Sequence, residues 1–267
     1  MSSIKFFFNN YSGKSIDMAK LSFNYLINKH IVKPIVVRLL SLIDNEFLKI
    51  LFINEILRRL GNMSSIDSLK LIFDIDNRLY EIEGIESIRY GNGVHTKHKH
   101  IKYHDFFKIN IIPGSRVLDI GCGNGTLACD IADSVDNVYI YAIDKVKDNI
   151  DKALSGFKRN NINFIYGDAL TDLPDEKFDV IILSNVLEHI FNRINFLKMI
   201  CDRYSPQMIL VRVPCFDRDW RVPLKKEIGI NYMLDSTHYI EYTSEEFKDE
   251  ISNAGLCIDS MQVNWGE

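Results

Sequence analysis

A chain of 267 residues with 46% hydrophobic and 25% charged residues has ordinary globular composition, which excludes disorder, collagen-like repeats and small disulfide scaffolds. The length allows one or two domains and a core that needs no metal or disulfide to fold. A net charge of -4 argues against general binding to nucleic acid or anionic membranes, and five scattered cysteines (Cys122, Cys129, Cys201, Cys215, Cys257) without a C-x-x-C pair suit a reducing cytoplasm rather than a disulfide framework or zinc site.

Met1 to Asn10 shows no signal-peptide core. From about Ser15 to Leu60 apolar residues recur at helical spacing, as in Leu39, Leu40, Ile43, Phe47, Ile50, Leu51 and Ile53. Charged residues interrupt this stretch too often for a bilayer span. Gly61-Asn62 before Ser64-Ser65 reads as one helix stopping and another starting. Residues 1–89 are therefore expected to form a helical appendage, serving either as a cap over a site or as a contact between copies of the chain.

After Gly91-Asn92-Gly93 the pattern changes to short β-branched runs alternating with helical segments, the signature of βαβ units and a parallel sheet. Strands are predicted at Arg116–Ile120, Val138–Ile143, Asn163–Tyr166, Phe178–Leu183, Met208–Val213 and Leu256–Val263. Helices are predicted at Gly125–Ser134, Lys145–Arg159, Ile190–Arg203 and Ser244–Ala254, the last opened by an N-cap at Thr243. Residues 90–267 are the second expected domain.

The strongest signal is Val117-Leu118-Asp119-Ile120-Gly121-Cys122-Gly123-Asn124-Gly125, a strand, an acid and three glycines opening a helix. Glycines let a ligand approach the backbone, and a helix start offers unpaired N–H groups. The G-x-G-x-G spacing departs from the dinucleotide fingerprint. Asp119 would repel a diphosphate and attract an ammonium group, as on the amino-acid part of S-adenosylmethionine. Asp144, closing the second strand, stands where an α/β nucleotide site places an acid for ribose hydroxyls. Asp168, after the third strand, could accept from an adenine amine, or be a turn residue.

In this order the residues resemble the class I S-adenosylmethionine-dependent methyltransferases, in particular the small-molecule methyltransferase-domain group, from Tyr90 to the C-terminus. The resemblance implies a Rossmann-like, doubly wound, mostly parallel sheet with S-adenosylmethionine as cofactor. It implies that Asp119, Gly121, Gly123 and Gly125, with Cys122 and Asn124 between them, hold the methionine end. Asp144 and Lys145 fall at the ribose, Asp168 and Ala169 at the adenine, and Ser184 and Asn185 in a loop lining cofactor and substrate. The family's sheet usually ends in a sixth strand and an antiparallel seventh, whereas after Leu256 about one strand of chain remains, so either the seventh strand is absent or the natural protein continues beyond Glu267. No Asn-Pro-Pro-Tyr-type tetrapeptide follows strand four. Ser184-Asn185-Val186-Leu187 stands there, which favours an oxygen or small-molecule acceptor.

On the substrate side, a proton acceptor near neutral pKa would serve a hydroxyl acceptor, and His189 and His238 are the candidates, with a helix-capping role as the alternative for His189. Four of the seven histidines crowd into Tyr90 to His104. Interleaved lysines speak against a metal there, and no metal is expected. A loop closing over the cofactor, with Tyr103 and His104 toward substrate, stands against a plain solvated segment. A second basic cluster, Arg212, Arg218, Arg221, Lys225 and Lys226, is interleaved with Asp217, Asp219 and Trp220. Arg218 and Arg221 could bind an anionic saccharide, sugar acid or nucleotide sugar, or the charges could pair internally. The sequence thus reads as an O-methyltransferase of a polar small molecule, without nucleic-acid partner or membrane span. The rivals are a nicotinamide oxidoreductase using Tyr141 and Lys145, and a non-catalytic cofactor-binding scaffold.

Overall fold

The computed structural model describes residues 33–264 except 94, 157, 170 and 173–175. The chain divides into two compact units, residues 1–69 and 70–267. The expected helical pattern before residue 33 lies outside the described residues.

In the first unit, α1 (Lys33–Leu40) and α2 (Asn45–Leu60) follow one another through a short turn. Asp44 caps α2 by accepting the Phe47 N–H at 2.9 Å, and Gly61 ends it. Ser64 then caps α3 (Ser65–Tyr90), its hydroxyl accepting the Asp67 N–H at 3.1 Å. The stop and restart read from Gly61 to Ser65 is therefore present. No residue of α2 is buried, and Phe47, Ile50, Phe52 and Leu57 are exposed. Among the described residues no helix is long and apolar enough to cross a membrane.

The helix α3 stops where Asn92 turns left-handed (φ 53°) and the Gly93 N–H closes on the Ile88 carbonyl at 2.9 Å, the Schellman pattern. Two short helices follow, α4 (Lys97–Ile101) and α5 (His104–Asn110), where the sequence suggested a loop. Then come β1 (Arg116–Ile120), α6 (Thr126–Ser134), β2 (Tyr139–Asp144), α7 (Lys147–Gly156), β3 (Ile162–Tyr166), β4 (Val180–Ser184), α8 (Arg193–Tyr204), β5 (Met208–Arg212), α9 (Arg221–Glu227) and α10 (Ser244–Asn253). A single 3-10 turn, Leu187–His189, separates β4 from α8.

The sheet has five strands in the order β3-β2-β1-β4-β5, all parallel. This is the Rossmann-like, doubly wound arrangement expected. Alternate residues of each strand enter two separate cores. Val117, Ile140, Ala142, Val180 and Ile182 pack with Phe107, Ala128, Ile131 and Ile150 on one face. Leu118, Ile143, Ile181 and Leu183 pack with Phe196, Leu197, Ile200 and Ile251 on the other. Because both faces are covered, the strands read as near-continuous apolar runs rather than alternating ones. Each fully buried aliphatic side chain contributes about 1.5–3 kcal/mol.

The connection leaving β1 goes to β2 on one side, while β4 lies on the other, so the strand order reverses between β1 and β4. Ligands of open α/β sheets bind in the crevice at the carboxyl ends of strands flanking such a point. Asp119 and Ser184 are the polar residues at those two ends.

The predicted strand at Leu256–Val263 does not form. After α10 the Gly255 backbone is left-handed (φ 79°), and the segment runs on without ladder pairing. Residues of β5 and of Leu256–Asn264 line a common cavity of about 970 Å³. The sheet ends at β5, so the alternation in this segment's sequence has no partner strand.

Candidate active site

The turn from β1 into α6 is held from beneath. The N–H groups of Gly121 and Cys122 both donate to the Ile143 carbonyl, at 2.8 and 3.1 Å, and the Gly123 N–H donates to Asp144 Oδ2 at 2.8 Å. Gly121 has φ 71°, and a Cβ there would fall 2.7 Å from Val186 Cγ2. Its side-chain face is thus closed by packing. Gly123, at φ 55°, differs because a Cβ there would meet nothing within 4 Å. Its open face borders a cleft of about 350 Å³.

Asp119 is 1% exposed, yet it lines that cleft, and its Oδ2 has no hydrogen-bond partner among the described residues. Burial, with the nearby Asp144 carboxylate adding to it, pushes the Asp119 carboxyl up to about 8. An acceptor oxygen left unmatched at this depth is costly. A ligand bringing an ammonium group satisfies it, and the bare backbone at Gly123 leaves room for the rest of such a ligand. The residues present therefore fit the amino-acid end expected from the sequence.

Of the candidate cofactor residues, Asp119, Gly121, Cys122, Gly123, Asn124, Ser184 and Asn185 all line the cleft. Gly125, Asp144, Lys145, Asp168 and Ala169 do not. Gly125 instead faces the Phe164 ring, 2.6 Å from where a Cβ would stand. Asp144 is buried, and besides Gly123 it accepts from the Val146 N–H at 2.8 Å and from Asn149 Nδ2 at 3.3 Å. It braces the loop as well as closing β2. Lys145 and Asp168 are exposed and Ala169 half-buried beyond the ends of β2 and β3. The Cys122 thiol is buried and pushed well above its ordinary range by burial, with Asp119 adding to it, which keeps it protonated.

The basic segment before β1 reaches the cleft through Lys97, His98 and Tyr103. The Tyr103 hydroxyl is hydrogen-bonded to His98 Nδ1 at 2.9 Å. Burial, helped by His104 and Lys97, lowers His98 to about 4, so this imidazole is neutral at physiological pH. The Tyr103 ring lies under the Arg212 guanidinium, 3.8 Å from centroid to Cζ. His104, in contrast, is buried against α6, its Nδ1 2.8 Å from Asp130 Oδ2. It stands outside the cleft lining.

Of the second basic cluster only Arg212 lines the cleft. Arg218 is ion-paired with Glu241 and also donates to the carbonyls of Cys215 and Tyr232, at 2.7 and 3.2 Å. Arg221 is held by Asp219 at 2.6 Å and by Asp76 at 3.3 Å, and Lys225 donates to Asn77 Oδ1 at 2.9 Å. Arg218 and Arg221 thus pair internally, and Asp219, interleaved in the sequence beside Arg221, was the visible sign of it.

Around the 3-10 turn, Glu188, His189 and His238 come together. Burial raises the Glu188 carboxyl and lowers His189, where His238 adds to the effect. The two imidazole rings meet edge to face at 4.6 Å. Neither histidine lines the cleft, but Asn185 does, and its Nδ2 donates to Glu188 Oε1 at 2.8 Å. Sequence reasoning passed over Glu188, Thr126, Leu127, Lys97 and His98 as site residues. Glu188 sits between a predicted strand and a predicted catalytic histidine, which was the available signal. Tyr141 lies within β2 with its hydroxyl donating to Glu176 Oε1 at 2.6 Å, away from the cleft lining, and so offers no redox pair with Lys145.

The methyltransferase domain family matches residues 111–253. The ubiquinone biosynthesis O-methyltransferase of Rickettsia bellii (strain OSU 85-389) is 31% identical over 161 residues, 57% of this chain and 66% of that protein. The enzyme of the same name from Bartonella tribocorum (strain CIP 105476 / IBS 506) is 30% identical over 161 residues, 56% of this chain and 64% of its own. The chain thus spans slightly less than two thirds of these relatives. A Haloferax volcanii protein solved in complex with the Trm112 methyltransferase activator superposes with a TM-score of 0.51 at 17% identity, over 67% of this chain and 77% of that one. That likeness is one of fold.

Proposed function

This chain belongs to the methyltransferase domain family, and on that premise we propose that it transfers the methyl group of S-adenosylmethionine to a hydroxyl oxygen of a polar small molecule. Residues 90–267 carry this activity in our reading, and of the helical region at residues 1–89 the part from residue 70 onward belongs to the same compact unit as the sheet. The observation that carries the proposal is the Asp119 carboxylate, buried at the end of β1 with one oxygen unpartnered beside the open face of Gly123.

When bound, S-adenosylmethionine supplies a carbon already activated by its sulfonium, which leaves the protein to align the acceptor and accept a proton. In our reading Asp119 receives the ammonium group, while Asn124, Ser184 and Asn185 offer polar contacts along the cleft. Asp144 fixes the loop through Gly123. Lys97 and Arg212, also on the lining, favour an acceptor with an anionic group. With Arg218 and Arg221 engaged elsewhere, these two replace them in that role. The names of the related proteins support oxygen as the acceptor atom.

Calorimetric titration of the full chain with S-adenosylmethionine and S-adenosylhomocysteine tests the proposal. Micromolar binding, about 8 kcal/mol, is expected for both, weakened at least tenfold in Asp119→Asn. Folded wild-type protein that binds neither ligand overturns the reading. Binding without turnover on a panel of phenols, sugar acids and nucleotide sugars would instead favour a cofactor-binding scaffold.

A further inference from the structure

The loop between α9 and α10 is fastened onto the 3-10 turn beside the cleft, the Tyr239 N–H donating to the Glu188 carbonyl at 2.8 Å. This brings one donor atom from each of Glu188, His189 and His238 within 4.8 Å of the others. Two independent features bear on what these atoms have to bind.

The first is Glu188 itself. It is fully buried, and while Oε1 accepts from Asn185 Nδ2, Oε2 has no hydrogen-bond partner among the described residues. A charged oxygen withdrawn from water calls for a cation or a donor. Neither imidazole in its neutral form is that donor, as their tautomers show.

The second feature is the set of contacts that fixes those tautomers. His238, its side chain 6% exposed, places Nδ1 3.1 Å from Glu241 Oε1, a carboxylate ion-paired with Arg218. A carboxylate only accepts, so Nδ1 carries the hydrogen and Nε2 keeps a lone pair. His189 Nδ1 lies 2.8 Å from Thr237 Oγ1, and that hydroxyl spends its own hydrogen on Asp235 Oδ1 at 2.7 Å. His189 Nδ1 therefore donates too, and its Nε2 is likewise a lone pair. Imidazoles that give one N–H to a carboxylate or hydroxyl and present the other nitrogen bare are the usual metal-ligand arrangement.

We propose that Glu188, His189 and His238 bind a divalent transition-metal ion beside the methyl-donor cleft. Two imidazole nitrogens and one carboxylate oxygen are a ligand set taken by Zn²⁺ and the neighbouring first-row ions. Such an ion is a Lewis acid that lowers the pKa of a hydroxyl bound to it, which gives the acceptor side of the cleft an activating group other than a histidine base. That use rests on the methyl-transfer reading, whereas ion binding itself does not.

The test is titration of the full chain with Co²⁺, followed through the visible bands that appear when protein ligands replace water, with Zn²⁺ as competitor. One Co²⁺ per chain, displaced by one Zn²⁺, is expected. Glu188→Gln, His189→Gln and His238→Gln should each weaken it at least tenfold. Absence of bands in the wild type, or unchanged affinity in a variant that melts like the wild type, overturns the proposal, the latter by placing the ion elsewhere, as among His95 to His104. X-ray absorption of the Zn²⁺-loaded wild type is independent of whether the variants fold, and an imidazole count other than two also overturns it. Calorimetry with S-adenosylmethionine on the same preparation separates the two readings. Donor binding without Co²⁺ binding removes only the metal, and Co²⁺ binding without donor binding removes only the methyl-transfer reading.

Discussion

The Asp119 carboxyl is where a residue's environment translates most directly into a measurable. Its ordinary value is 3.8 and burial raises it to about 8, so the folded chain keeps a proton there that the unfolded chain loses. The stability this contributes is fully present below about pH 4 and is lost as pH rises to about 8. An arriving ammonium favours the ionised form, so donor binding near pH 7 should release a proton from Asp119. Calorimetry in two buffers of different ionisation enthalpy would show this as a buffer-dependent heat. We expect the dependence to shrink as pH passes 8 and to vanish in Asp119→Asn, and a buffer-independent heat near pH 7 would contradict it. That Asp119 precedes a glycine loop was legible in the sequence. That one of its oxygens is left without a partner was not, because this depends on how the folded sheet buries it and brings Asp144, at the end of β2, close by.

At the scale of elements, the turn joining β1 to α6 assigns different tasks to glycines that look alike in sequence. Alanine at Gly121 would collide with Val186 and must also hold a left-handed backbone, so Gly121→Ala should lower stability by about 2–4 kcal/mol. Alanine at Gly123 pays only the backbone cost, about 1–2 kcal/mol, since nothing stands in its way. Chemical denaturation should show that difference, while S-adenosylmethionine titration of folded Gly123→Ala should show at least a tenfold loss. Equal destabilisation by the two changes would refute the distinction. The five paired strands were readable to within two residues at each end, because burial on both faces leaves unbroken apolar runs bounded by turn residues. The segment Leu256–Val263 carried the same local pattern and failed, since a strand also needs an edge within hydrogen-bonding reach. The helix α9 was missed for the opposite reason. Its Arg221-Val222-Pro223 start and its lysines look like a charged loop until Asp76 and Asn77 of α3 are seen to receive them.

For the whole molecule, a donor that binds only the folded sheet must raise its melting point. At a hundredfold excess over the dissociation constant the gain is about 2.7 kcal/mol, which for a chain of this size corresponds to about 5–10 °C. Differential scanning calorimetry with S-adenosylhomocysteine would measure it, and an unmoved transition would count against any site formed by the folded sheet. The two ends of one side chain give the molecule a further property. Asn185, left-handed at φ 57°, borders the cleft while its Nδ2 reaches Glu188 and its Oδ1 receives Arg212. A ligand that draws Asn185 toward itself alters the carboxylate behind it. Donor and cation then become thermodynamically linked, so that whatever factor one changes in the other's affinity is returned in equal measure, and neither dissociation constant is a fixed property of the protein until the concentration of its counterpart is stated.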